Sequence, residues 1–264
     1  MHRFMKARAA IYGFALAPLL AGGIALASAA HAQDQSLPGG FTPEQADGMQ
    51  QIIRQYLLEN PEVLVEALTE YQRRQEVAEQ QRLQQAVVDS RAALRDDPDA
   101  PVLGNPEGDV VIVEFFDYRC PYCRRAAESV QELVAEDGGI RLVMKEWPIL
   151  GPESVTASRM ALAVARLAPE KYEAFHFAAM SLPRGMDQDD LDRVARGLDL
   201  DLERIKADMQ SPAIGQALGR TMTLARSLGI TGTPAFVIGD TLVPGMIDTD
   251  TMRRLVAEAR ANSS

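Results

Sequence analysis

Val110-Val111-Ile112-Val113-Glu114-Phe115-Phe116-Asp117-Tyr118-Arg119-Cys120-Pro121-Tyr122-Cys123 is the stretch that decides how this chain folds. Its first seven residues are apolar except Glu114, a run that fits a central strand buried on both faces. The end of the stretch changes character. Cys120 stands at a helix cap position, and Pro121 suits the first helical turn because the N–H it lacks would have had no partner there. Cys123 follows one turn on. The helix continues through Ala126, Ala127, Val130, Leu133 and Val134 to Gly138-Gly139, and Ile140-Arg141-Leu142-Val143-Met144-Lys145 reads as the next strand. The result is a strand, helix, strand unit with two thiols at the N-terminus of its helix.

Those thiols are the only two in 264 residues. Two cysteines three apart make no disulfide framework. A structural zinc site needs four ligands, and His176 is the one histidine beyond the first 32 residues. A redox-active dithiol is the reading left. Disulfide exchange needs a thiolate, which the unpaired N–H groups and positive dipole end of a helix stabilise, so Cys120 is the expected nucleophile and Cys123 the resolving thiol. Arg119 and Arg124 either lower the Cys120 pKa further or are solvated surface charges. Glu114 is a carboxylate inside an apolar strand, costly there without a role or a partner.

At the N-terminus, Arg3, Lys6 and Arg8 precede an apolar run from Ile11 to Ala27 and then Ala30-His31-Ala32, the layout of a secretory signal cleaved after Ala32. The run is short for a membrane span and is interrupted by Pro18 and Gly22-Gly23. Cleavage removes three basic residues and no acidic ones, leaving 24 basic against 37 acidic residues and a net charge of −13. That balance argues against nucleic acid as a partner.

Residues 33–97 read as a helical region of their own. Thr42-Pro43-Glu44-Gln45 supplies a hydroxyl cap, a proline at the first helical position and a glutamine three after the cap. Met49, Ile52, Ile53, Tyr56 and Leu57 then form one apolar face. Asn60-Pro61 opens a second helix, with Leu64, Leu68 and Tyr71 at helical spacing, running to about Arg95. Chains this short bury too little to stand alone, so the stripe needs a partner. That partner is either the protein's own C-terminal domain or the same stripe on another copy, and the long polar helix beyond Tyr71 favours the second: a homo-oligomer, a trimer or dimer, held through residues 41–95.

Asp96-Asp97-Pro98-Asp99-Ala100-Pro101 has the composition of a linker, and residues 98–264 read as the catalytic domain. From about 153 to 228 the pattern is helical, with caps at Asp187, Asp201 and Ser211-Pro212 and Gly229 closing the last helix. Pro234-Ala235-Phe236-Val237-Ile238 is a strand, Gly239-Asp240 a turn and Thr241-Leu242-Val243 the strand paired with it, followed by a helix over Thr249 to Ala261. The fold class is α/β, a mixed sheet with helices on both faces and a helical insertion of about 75 residues. His176, among Phe175, Phe177 and Ala178, reads as a core or edge histidine. The Asp187, Asp189, Asp190, Asp192 cluster lacks the glycine and closing glutamate of a calcium loop and reads as helix capping. Met160, Met180 and Met222 fill core gaps or line a groove.

Four features in this order resemble the DsbA-like family of the thioredoxin fold, and the long N-terminal helical extension resembles its ScsC-type branch. They are Glu114-Phe115-Phe116-Asp117-Tyr118 before Cys120-Pro121-Tyr122-Cys123, the helical insertion, Gly232-Thr233-Pro234-Ala235-Phe236, and Val243-Pro244-Gly245. The resemblance implies a redox-active Cys120–Cys123 disulfide with no other cofactor. It also implies that Glu114 is a buried acid moving the proton of Cys123, and that Thr233-Pro234 is a cis-proline loop facing the dithiol. An extended substrate could then pair with Thr233 beside Cys120, with Pro121 and Tyr122 on the same surface. The implied activity is isomerisation or oxidation of disulfides in unfolded or wrongly bridged proteins, in a secreted compartment that is the periplasm in a Gram-negative source. A membrane or soluble thiol partner would reset the dithiol. Tyr122, where the DsbA prototype has a histidine, and Thr233 hint at a less oxidising couple. The competing reading is a copper(I)-binding or chaperone protein whose Cys120 and Cys123 hold the metal as soft thiolates.

Overall fold

A computed structural model describes residues 40–182 and 186–262. The signal segment read in residues 1–32 lies outside the described residues. The described chain forms two units, one up to Val65 and one from Glu66.

In the first unit, helix α1 (Pro43–Glu59) opens with the expected capping box, Thr42 and Gln45 bonding each other's backbone N–H. It buries no residue, and Met49, Ile52, Ile53 and Tyr56 are all exposed. Helix α2 (Glu62–Asp89) begins after the Asn60-Pro61 signal, with Leu64 exposed in the first unit and Leu68 and Tyr71 exposed in the second.

In the second unit α2 ends at Asp89, and a short helix α3 (Arg91–Arg95) follows a turn at Ser90 instead of one helix running to Arg95. The break falls after Val87-Val88-Asp89-Ser90, residues of weak helix propensity. It lets Leu94 enter the core, where Val87 is also fully buried. The segment read as a linker is fastened to the body: Lys145 Nζ lies 2.8 Å from Asp97 Oδ2 and 2.9 Å from the Ala93 carbonyl. Asp99 pairs with Arg220. The second unit therefore starts well before the expected boundary at residue 98.

Strands β1 (Val102–Gly104), β2 (Val110–Phe116), β3 (Ile140–Glu146), β4 (Ala235–Ile238) and β5 (Thr241–Pro244) form one mixed sheet in the order β1-β3-β2-β4-β5. The apolar run is the central strand, parallel to β3 and antiparallel to β4. β1 is a three-residue edge strand too short to show a period in the sequence.

The alternation of β2 and β3 divides the core in two. Ile112, Phe116, Leu142 and Met144 join one cluster with Val130 and Leu133 of helix α4 (Pro121–Glu136). Met160 of α5 (Pro152–Leu167), Phe175 of α6 (Tyr172–Met180), and Met252 and Val256 of α10 (Thr249–Asn262) complete that cluster. Val113, Phe115 and Val143 join the other, with Val87, Leu94 and Leu224 of α9 (Pro212–Ser227). The insertion is completed by α7 (Gln188–Gly197) and α8 (Leu202–Asp208). Asp187 caps α7 in a reciprocal box with Asp190, as the capping reading expects. Met160 and Met180 are core residues, whereas Met222 is exposed.

Candidate active site

Cys120 is the N-cap of α4, in extended conformation, with Pro121 at the first helical position and Cys123 one turn on. Both sulfurs are free thiols. The two differ sharply in environment. Cys123 is fully buried, and burial, its hydrogen bond to Cys120 and the nearby Glu114 charge push its thiol far above the ordinary range. Cys120 is held down at about 5, first by the hydrogen bond from Cys123 and then by the Thr233 side chain and the backbone of Cys123 and Tyr122, against the opposite push of burial. One sulfur is thus set up as a thiolate and the other as a thiol.

Glu114 sits in β2 opposite Met144 and Phe236, 2% exposed, on the sheet face that carries Ile112 and Phe116 and that α4 covers. Burial, and after it the Cys120 charge, raise its carboxyl to about 8.

Thr233–Pro234 is a cis peptide bond at the entry to β4. Cys120 Sγ lies 3.1 Å from the Thr233 carbonyl oxygen, so the loop faces the nucleophile directly. The Gly245 N–H donates to the Pro234 carbonyl at 2.9 Å, tying Val243-Pro244-Gly245 to the same loop. Pro121 and Tyr122 are exposed at the tip of α4, with the Arg125 guanidinium 4.7 Å above the Tyr122 ring. Arg119 reaches Glu153 at 2.8 Å and the Leu150 carbonyl at 2.9 Å, and Arg124 Nε donates to the Tyr118 carbonyl at 3.0 Å, so both brace the turn around the cysteines.

Two groups beneath this surface escaped the sequence reading. Asp117 is fully buried and accepts from the backbone N–H of Arg119, Ile149 and Leu150 and from the Ser154 hydroxyl, which shapes the turn before Cys120. Glu146 ends β3 in a buried cluster: the Ser158 hydroxyl donates to it at 2.8 Å, Tyr118 at 3.3 Å and Tyr172 at 3.4 Å. Burial is the main cause of its rise to about 8. His176, 3.1 Å from the Tyr118 hydroxyl, is a core histidine pushed by burial to about 3 and hence neutral. The signal for Glu146 was weak, because Lys145-Glu146 after an apolar run looks like a strand leaving the core.

The sequence reading also missed a groove of about 700 Å³ beside the dithiol, which runs from Tyr122 and the Thr233-Pro234 loop past β5 to the last turns of α2. Among the described residues no group of three or more metal-ligating side chains occurs, and no helix is long and apolar enough to cross a membrane.

A helix-capping thiol, a buried second thiol and a facing cis-proline loop on a mixed sheet define a thioredoxin-fold thiol-disulfide oxidoreductase. Comparison with known proteins agrees with this class: the DSBA-like thioredoxin domain model matches residues 111–257, and the copper resistance protein ScsC N-terminal domain model matches residues 45–78. The chain belongs to the DsbA-like thioredoxin family and carries the ScsC-type N-terminal extension. A thioredoxin-like oxidoreductase from Silicibacter pomeroyi DSS-3 is 48% identical, with a TM-score of 0.62 over 65% of this chain and 98% of that one. Proteus mirabilis ScsC in a compact conformation is 29% identical, with a TM-score of 0.64 over 83% of this chain and 99% of that one. The thiol-disulfide exchange protein alpha-DsbA2 from Wolbachia pipientis is 30% identical, with a TM-score of 0.65 over 69% and 97%. Among curated relatives, the Na(+)/H(+) antiporter NhaA 3 of Salinispora tropica is 33% identical over 113 residues, and the match takes in 42% of this chain but only 17% of the antiporter.

Proposed function

We propose that this protein rearranges disulfides in unfolded client proteins of a secreted compartment, through Cys120 and Cys123 and as an assembly of several copies. The observation that carries the reading is the opposite bias on the two sulfurs, with Cys120 held at about 5 and Cys123 buried and protonated. At pH 7 a thiol with that pKa is about 99% thiolate, so reduced Cys120 is ready to attack.

In isomerisation the Cys120 thiolate attacks a client disulfide, one client sulfur leaves as thiolate, and a mixed disulfide forms. A different client thiolate then attacks the client sulfur of that bond, making a new client disulfide and returning Cys120 as thiolate, with no net transfer of electrons. If the client stalls, Cys123 attacks Cys120 instead. The client leaves reduced, Cys120–Cys123 becomes a disulfide, and Glu114 takes the Cys123 proton. A thiol partner must then reduce the pair. Oxidation of a reduced client is the same path in reverse.

Assembly is supported by the apolar residues that α1 and the first half of α2 leave in water, with Ile52, Ile53 and Leu68 each more than half exposed. Such a stripe needs a cover, and a second copy supplies one. The basic and apolar leader supports export. The second reading, copper(I) held between two thiolates, draws on the ScsC family description, but Cys123 is a poor thiolate in its buried site.

The test assays a scrambled and a reduced client side by side, with the full chain and with the exposed-surface pair Ile53→Asp, Tyr56→Asp. The pair is expected to lower the mass in light scattering and to lose isomerisation while gaining oxidation of the reduced client. A variant that isomerises at the full rate as a monomer removes the assembly from the mechanism. Inactivity of the full chain on both clients, together with tight copper(I) binding against a competing chelator, puts the metal reading ahead.

A further inference from the structure

Residues 79–110 lie in neither matched family model, yet part of that stretch stands beside the reacting sulfur. Gln80, Leu83 and Gln84, on the last turns of α2, line the groove of about 700 Å³ whose other side is Tyr122, the Thr233-Pro234 loop and Met246. A cleft of that size takes several side chains of a bound chain. It begins at the reaction centre, because the Thr233 carbonyl that lines it is 3.1 Å from Cys120 Sγ.

The α2 wall is firmly seated. Val87, one turn on from Leu83, is fully buried. Gly229 has a φ of +67°, and a Cβ there would sit 2.8 Å from Leu83 Cδ2, so the glycine allows the leucine to lie against the backbone. The chain after α2 is tied down by Arg91, which pairs with Asp240, and by Arg95, which donates to the Gly239 carbonyl at 2.9 Å.

Charge narrows the choice of occupant. Asp240 is the one residue charged at neutral pH among the lining residues, and its carboxylate is engaged by Arg91 and Arg95. The groove therefore offers apolar surface at Leu83, Tyr122 and Met246, and neutral amides at Gln80 and Gln84. We infer that the end of α2 is a specificity wall, with Leu83 receiving an apolar side chain of the client segment that flanks the cysteine joined to Cys120. This rests on the reading that clients exchange disulfides with Cys120, and deepens it by naming the preferred client: a neutral, apolar segment in extended form.

The test uses full-length protein and a series of disulfide-linked peptides in which one leucine is walked outward from the cysteine, against the same series with lysine. Glutathione disulfide serves as a probe that carries no apolar side chain for Leu83 to receive. The wild type is expected to favour leucine at one spacing by about tenfold in kcat/KM, the scale on which an apolar pocket discriminates. Leu83→Asp should abolish or invert that preference, Leu83→Met should keep it, and all three should exchange with glutathione equally. An unchanged preference in Leu83→Asp overturns the proposal. A parallel loss with glutathione also overturns it, because Leu83 would then be supporting the cysteines. A preference that fades as protein concentration rises overturns it in favour of a second copy as the occupant. A wild type that reacts with glutathione but with no peptide defeats the client reading itself.

Discussion

Replacing Glu114 with glutamine tests whether the buried acid handles the Cys123 proton. Its carboxyl, at about 8, is about 90% protonated at pH 7 and half ionised one unit higher. Cys123 cannot attack while protonated, and burial holds its proton on throughout the working range. The ionised fraction of Glu114 then limits resolution of a mixed disulfide, so the wild-type rate should climb between about pH 6 and 8 and level off above. Glu114→Gln should slow resolution by about 100-fold at pH 7 and remove the plateau, leaving a rate that rises about tenfold per pH unit. Formation of the mixed disulfide should change little. Stability gives an independent reading. The carboxyl titrates near 4.5 when unfolded and near 8 when folded, a raised value, so the stability it allows is complete below 4.5 and is lost as pH rises through 8. The full loss is on the order of 5 kcal/mol. In urea, wild type and Glu114→Gln should match near pH 4 and separate in favour of the glutamine by pH 9. Rapid acid quenching of a preformed mixed disulfide measures the chemistry. Resolution within twofold of wild type, or a plateau surviving in the variant, refutes the assignment.

Titration of the reduced protein by ultraviolet thiolate absorbance should show a midpoint near 5 for Cys120. Because that value is depressed from 9.0, the reduced form should gain stability over the disulfide form as pH rises from 5 towards 9 and lose the gain below 5; a midpoint near 9 contradicts the site geometry. Asp97→Ala leaves Lys145, 1% exposed, as an uncompensated buried charge and should cost about 3–5 kcal/mol in urea unfolding. Adding Lys145→Met should restore part of it, and no loss in the single variant would show that the segment after α3 is not held there. Tyr118→Phe removes the hydroxyl shared by Glu146 and His176 and should lower stability by about 1–3 kcal/mol without changing glutathione exchange. A matching fall in Cys120 reactivity would mean that this cluster acts on the chemistry.

The strand, helix, strand unit was legible because local signals agreed with the global fold: an uninterrupted apolar run, a proline one place into the helix, and glycines at its end. Thr42 and Asp187 were legible for the same reason, since caps act within four residues, whereas Asn60, read as opening α2, closes α1 instead, its side chain donating to the Tyr56 carbonyl. What stayed hidden depended on contacts far apart in sequence. Lys145 and Glu146 look like a charged strand end, yet each meets a partner contributed by a distant segment, Asp97 for one and Ser158 with Tyr172 for the other. The segment 96–101 looked like a tether because its composition is that of a loop. Its acidic side chains instead fasten it to Lys145 and Arg220. The groove could not be seen either, because its walls come from three separate parts of the chain, the end of α2, Tyr122 and the stretch from Gly229 to Met246.

Lys145 and Glu146 also show how one strand serves two needs. Consecutive residues of β3 point to opposite faces. On one face Glu146 joins Glu114 among the buried acids beneath Cys120 and Cys123. On the other, Lys145 holds Asp97 and the Ala93 carbonyl, which fixes α3 against the sheet. With α3 fixed, Val87 stays in the core and the wall bearing Leu83 stays beside Thr233. The buried acids beneath the dithiol and the contacts that seat the end of α2 are therefore built on opposite sides of the same two central strands. A substitution that loosens the Lys145 side should alter which peptides react while leaving the Cys120 titration in place, and Glu114→Gln should slow resolution by Cys123 while leaving the choice of peptide unchanged.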